Sequence, residues 1–262
     1  MPKLPQIMKL MKILKIILPA VLTLTFSGCL DINESVDIRK DGSGQLTMDM
    51  DMSQMVDMMQ TYMGKEELEK KGFSKMDTTI LLKDVVDTSS SLSEDKKAIL
   101  RTGRVHIKLD MDAKVFTVHS MFPFTSLPNL QKLYGLMNDG SLGNAKLFGS
   151  LGGDAGAGAN PGDINQFNSI FDFSCKDGML SKKLNKAKFD ALKNDPQMAQ
   201  VKQASQMGME INYTSTLSLP RPIRKVSNPL AKLSDDKMTV TMKFNLIDVF
   251  DKPEQFEYTV EY

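Results

Sequence analysis

The chain has no tryptophan, only two cysteines and two histidines, and almost no net charge, with 33 basic side chains against 32 acidic ones in 262 residues. So few cysteines exclude a disulfide-stapled framework. A charge so evenly balanced excludes the electrostatic footprint of a nucleic-acid groove. The 17 glycines follow no three-residue period, which excludes collagen, and 41% hydrophobic residues are too many for a disordered chain. No apolar run reaches the roughly 20 residues that a membrane-spanning helix needs. There is no His-Glu-x-x-His, no Ser-His-Asp arrangement with local support and no phosphate-loop lysine among the glycines. These absences leave no cofactor signature and no catalytic constellation, and they point to a non-enzymatic globular chain.

What is present begins with an address. Lys3, Lys9, Lys12 and Lys15 form a positive segment with no acid among the first 28 residues, followed by the short apolar run Ile16–Phe26. The run ends in Phe26-Ser27-Gly28-Cys29, small residues before a cysteine, which resembles a bacterial lipobox. That resemblance implies a signal peptide over 1–28, cleavage before Cys29, and acylation of Cys29 by palmitate-like chains. Two or more acyl chains suffice for stable anchoring. Leu30, and not Asp, follows the cysteine, which by the enteric sorting rule implies the outer membrane more than the inner. Cleavage removes four lysines and no acid, leaving 29 basic against 32 acidic residues, a net of −3. With Cys29 acylated, Cys175 has no partner within the chain and reads as a small buried residue.

Residues 29–34 read as a lipidated tether and 35–262 as a single α+β domain on a largely antiparallel sheet. Ser35–Arg39 and Gln45–Asp51 alternate around Asp41-Gly42-Ser43-Gly44, which predicts a hairpin. Ser53 then caps a helix whose stripe is Met55, Val56, Met58, Met59, Tyr62 and Met63. A β-branched run predicts a strand over Asp77–Asp87, and Ser93 opens a short helix. Arg104–Met111 and Lys114–Met121 pair so that residue numbers sum to 225, which sets His106 opposite His119 and puts Val105, Ile107 and Leu109 on the face of Phe116 and Val118. A helix follows from Ser126 to Met137. Residues 138–163 hold eight glycines and read as a flexible loop. A second hairpin turns at Lys176-Asp177-Gly178, a helix runs from Lys186 to about Gln206, and Met209–Leu219, Met238–Leu246 and Phe256–Tyr262 alternate as strands.

Two constellations suggest binding. Seven of the 20 methionines fall between Met48 and Met63. They read either as a continuous core face or as the lining of a pliable apolar cavity, with Met48, Met50, Met55, Met59 and Phe116 as candidate ligand contacts. The same thioethers suit Cu(I), a soft ion that favours sulfur. His106 and His119 are a candidate metal pair, although two ligands fall short of a site and the alternative is a solvated sheet face. Asp110 lies on their face as a distant third group.

Taken together, the lipobox cysteine, Lys40-Asp41-Gly42-Ser43-Gly44, Lys83-Asp84-Val85-Val86 and Leu219-Pro220-Arg221-Pro222-Ile223 resemble envelope lipoproteins of Bacteroidota, a likeness that brings no known activity. More distantly, the early Asp-Gly hairpin, the Met-rich helix and the late Leu-Pro element are similar to LppM-type envelope lipoproteins. That resemblance implies an α+β soluble domain and a lipid as partner. The expectation is an anchored envelope lipoprotein that binds a hydrophobic ligand without catalysis, or else handles copper, or serves as an architectural partner of other envelope proteins.

Overall fold

The computed structural model describes residues 30–70, 75–90, 92–138, 167–195 and 210–262. The expected signal segment, Cys29, residues 139–163 of the glycine-rich loop and residues 196–206 of the expected long helix lie outside the described residues.

The first strand, β1 (Leu30–Ile38), starts five residues before the expected Ser35. Residues 30–34 are therefore strand and not tether. They pair antiparallel with β2 (Gly44–Asp51) on one side and parallel with β8 (Ile211–Ser218) on the other. Glu34 explains the discrepancy. It occupies an inward position, so its charge interrupts the apolar series Leu30, Ile32, Val36, Ile38. The β1–β2 turn forms as expected: Gly42 takes φ +81°, and the Asp41 carboxylate accepts bonds from the Ser43 N–H at 3.0 Å and O–H at 2.7 Å.

After β2 come α1 (Ser53–Met63) and α2 (Lys65–Lys70), separated at Gly64, where φ is +74°. Ser53 does not cap α1. Its hydroxyl accepts from the Phe116 N–H at 3.1 Å and ties the helix to a neighbouring strand. The strand expected over Asp77–Asp87 divides into β3 (Met76–Leu81) and a short helix, α3 (Leu82–Val86). Leu82 and Val86, four residues apart, are both fully buried, a helical spacing that the β-branched composition hid.

Then follow α4 (Glu94–Leu100), β4 (Arg104–Asp110), β5 (Val115–Phe124) and α5 (Leu127–Asn138). The β4–β5 register is the expected one, with His106 opposite His119 and Ile107 opposite Val118. The second hairpin is β6 (Phe171–Lys176) and β7 (Met179–Leu184), followed by α6 (Lys186–Lys193). Two short strands, β9 (Lys225–Val226) and β10 (Lys232–Leu233), then β11 (Thr239–Asn245) and β12 (Tyr258–Glu261) complete the chain.

The strands form two sheets. The larger has eight strands in the order β10-β11-β8-β1-β2-β5-β4-β3, and the smaller has four in the order β6-β7-β12-β9. Every pairing is antiparallel except β1 with β8. One face of the large sheet is polar, with the cross-strand row Thr79, His106, His119, Asp49, Asn33, Thr214, Lys243. The other face carries the core, which it shares with α5 and the small sheet. Aromatic contacts join these layers: Tyr134 of α5 stacks on Phe173 of β6 at 4.0 Å, and Phe244 of β11 stacks on Phe256 at 4.6 Å. Among the described residues no helix is long and apolar enough to cross a membrane.

Close packing at the first hairpin gives a direct check. A Cβ at Gly44 would stand 1.9 Å from the Asp37 carbonyl oxygen and 2.4 Å from the Phe124 ring, whereas one at Gly135 on α5 meets nothing within 4 Å. Gly44→Ala is expected to lower unfolding free energy by about 3 kcal/mol. Gly135→Ala should raise it by about 0.5–1 kcal/mol through helix propensity. Urea unfolding of both variants measures the contrast.

Candidate functional site

The methionine set does not converge on one cavity. Met48 and Met50 lie in the main core, packed on the inward face of β2. Met59 and Phe116 are partly buried and border a second, small cluster built on Val56, Leu68, Leu109 and Met111, and Phe116 also packs against the main core. The Met55 side chain lies outside the described residues. None of the described residues of the set lines either of the two surface clefts described below. Met52 joins Met48 and Met50 among aliphatic neighbours in the same core.

The histidines face each other on the polar side of the large sheet, each with its own partners. His119 Nδ1 is hydrogen-bonded to the Asp49 carboxylate. His106 Nδ1 lies 3.0 Å from the Thr79 hydroxyl, and its Nε2 lies 3.4 Å from Asp77. Asp110 is engaged elsewhere, in an ion pair with Lys75 at 2.7 Å and as acceptor for two turn amides. Among the described residues no group of three or more His, Cys, Asp or Glu side chains is arranged to hold a metal ion.

Sequence reasoning missed a polar cluster inside the core. Glu34, 3% exposed, sits in the inward row Ile80, Val105, Ser120, Met48, Glu34, Ser215, Met242. Its Oε1 accepts from the Ser215 hydroxyl at 3.3 Å, while its Oε2 has no partner. From the small sheet, Lys182, 7% exposed, points inward between its strand partners Phe173 and Tyr258. Its ammonium donates to Asn168 Oδ1 at 2.8 Å and lies over the rings of Phe171 and Tyr213, at 4.7 and 5.5 Å from their centroids. The hydroxyls of Tyr134 and Tyr258 are buried without partners.

Desolvation dominates this cluster. Burial lowers the Lys182 pKa, and the Glu34 charge pulls it partly back. Burial, and then the Glu34 charge, hold the Tyr134, Tyr213 and Tyr258 hydroxyls well above their ordinary range. A signal existed in the sequence: both charged residues fall at core positions of a period-two pattern, Glu34 between Ile32 and Val36, and Lys182 after Leu180. Cys175 lies on the same inward face of the small sheet, and burial pushes its thiol up to about 12, which leaves it unreactive at neutral pH.

A surface cleft of about 690 Å³ opens where four loops meet. The β1–β2 turn contributes Arg39, Lys40 and Asp41; the start of α5 contributes Leu127 and Pro128; the β6–β7 turn contributes Lys176 and Asp177; the Pro220 bend contributes Arg221. Ile38, Cys175 and Tyr262 line its inner side. Arg221 pairs with Asp177 and lies over the Tyr262 ring, 5.3 Å from its centroid. A second cleft, of about 850 Å³, runs between α5, β6 and α6, and its Asp172 is held by Lys188 at 2.8 Å.

The buried charges generate a prediction. Lys182→Met leaves Glu34 uncompensated and should cost about 3 kcal/mol at pH 7, whereas Glu34→Gln combined with Lys182→Met should recover much of that loss. The interaction term of the double-mutant cycle should be about 1–3 kcal/mol. A lysine whose folded pKa is lowered adds stability as pH rises through that value, complete above its ordinary 10.5. The tyrosines' raised values contribute stability present below their ordinary 10.0 and lost as pH rises through the folded values. Thermal melts across alkaline pH should therefore lose their rising arm in Lys182→Met and keep only the decline.

No family model matches the chain, and no curated protein does. Among solved structures, it is similar to the NMR structure of the folded domain of LppM from Mycobacterium tuberculosis, at 11% identity and a TM-score of 0.38, over 92% of this chain and 94% of that one.

Proposed function

We propose that this chain is a bacterial envelope lipoprotein, held to a membrane by acyl chains on Cys29, whose α+β domain is a non-catalytic binding module for a hydrophobic, lipid-like ligand. The observation that carries the reading is the junction at the amino terminus. The lipobox cysteine is followed, with no spacer, by the first residue of the central strand β1. An acylated Cys29 then sits within one residue of the sheet, so the domain stands on the membrane by the end of the sheet that carries Leu30. The residue after the cysteine favours the outer membrane.

The ligand's seat in this reading is the four-loop cleft and not the methionine face. Met48 and Met50 are spent on core packing, whereas the cleft offers apolar surface from Ile38, Leu127 and Pro128. Eight residue steps along β1 at about 3.3 Å each carry the chain roughly 26 Å from Leu30 to Ile38. The cleft therefore opens at the end of the domain away from the anchor, where it meets partners that approach from outside the anchoring leaflet.

Palmitate labelling in growing cells checks the anchor: the full chain should take up label and sediment with outer membranes, and Cys29→Ala should do neither. An unlabelled full chain would contradict the anchoring. Native mass spectrometry of the mature chain, residues 29–262 with Cys29→Ser, checks the ligand: a lipid-mass adduct is expected, and a bare polypeptide mass would replace the binding role with the architectural one.

A further inference from the structure

The cleft carries more than apolar surface. Four side-chain cations, Arg39, Lys40, Lys176 and Arg221, line it against two carboxylates, Asp41 and Asp177. Both carboxylates are already engaged, Asp177 by Arg221 and Asp41 by the amide and hydroxyl of Ser43. Among the described residues Lys40 and Lys176 have no ion-pair partner, and the Arg39 guanidinium makes a single bond of 3.4 Å to Ser43. The cleft is thus left with excess positive charge.

Two further features lie at the same place. The 12-residue helix α5 begins at the cleft with Leu127-Pro128, but Pro128 has no N–H and the amides of Asn129 and Leu130 are taken by the Ser126 hydroxyl and carbonyl, so the helix start offers the cleft apolar surface. Tyr262 closes the inner wall of the cleft, 3% exposed, with the Arg221 guanidinium over its ring. Cations in excess of side-chain carboxylates, with Lys40 and Lys176 unpaired among the described residues, match an oxyanion, and lysines serve phosphate as point charges. The volume of about 690 Å³ and the apolar strip of Ile38, Leu127 and Pro128 exceed what a lone phosphate fills. We propose that this cleft seats the phosphate head of an anionic amphiphile, with Lys40 and Lys176 on the head and the start of its chain along Leu127 and Pro128. The proposal rests on the reading of the domain as a binder of lipid-like ligands and adds the chemistry of the head.

The test is calorimetric titration of the mature chain, residues 29–262 with Cys29→Ser, against three soluble probes: dihexanoyl phosphatidic acid, dihexanoylglycerol and inorganic phosphate. Phosphatidic acid should bind at least about tenfold more tightly than either of the others, because charge-assisted bonds and apolar contact act together. Lys40→Gln with Lys176→Gln, both exposed side chains, should weaken phosphatidic acid about tenfold and leave dihexanoylglycerol unchanged, with circular dichroism as wild type. Equal affinity for dihexanoylglycerol would overturn the assignment of the head while the lipid-like reading stands. Equal affinity for inorganic phosphate would overturn the amphiphile in favour of a free-anion site. No binding by any probe would overturn both.

Discussion

The structure depends on the parallel pairing of β1 with β8. It joins the first described residues to a strand that begins 181 positions later, Leu30 beside Ile211 and Asp37 beside Ser218. With β2 on its other edge, β1 is an interior strand of an eight-stranded sheet. The β2, β5, β4 and β3 arm lies on one side and the β8, β11 and β10 arm on the other. Without β1 the two arms share no ladder. A contact so distant in sequence carries a high loop-closure entropy, and both arms of the sheet depend on it. If Cys29 is the membrane anchor, the strand that unites the sheet is also the one that meets the bilayer.

A second constraint is placed on the same strand. Glu34 faces inward from the large sheet and Lys182 faces inward from the small one, and the Glu34 charge acts on Lys182 with no hydrogen bond or ion pair between them. Burying both costs desolvation that their attraction offsets only in part. Sheet-on-sheet packing by aliphatic side chains tolerates sliding, whereas a charge on each face favours the placement that brings the two within electrostatic reach. The partnerless hydroxyls of Tyr134 and Tyr258 in the same region show that polar groups are concentrated where the layers meet.

Much of this was legible in the sequence because the signals were local. The turn at Asp41-Gly42, the register that sets His106 against His119, the helix after Ser126 and the three alternating C-terminal strands all follow from period and turn chemistry within short windows. The misses have physical causes. Glu34 broke the apolar alternation of β1, so its first half read as a tether. Leu82 and Val86 turned helical inside a β-branched run because that spacing buries both on one side, with Leu82 packed beside Gly103 and its N–H bonded to the Gly103 carbonyl at 3.0 Å. The methionines read as one face because strand and helix periods join smoothly at Ser53, yet they divide between two separate clusters. The cleft had no local signal, since its walls come from four loops spread between residues 38 and 262.

The chain is strand from Leu30 onward, with no free tether between Leu30 and the sheet. Amide hydrogen exchange on the mature chain tests it most directly. The amides of Ile32 to Val36 should be protected to the same degree as those of β8, near the global unfolding limit. Exchange of Ile32 and Glu34 at the rate of an unprotected peptide, with β8 still protected, would contradict it and restore the tether.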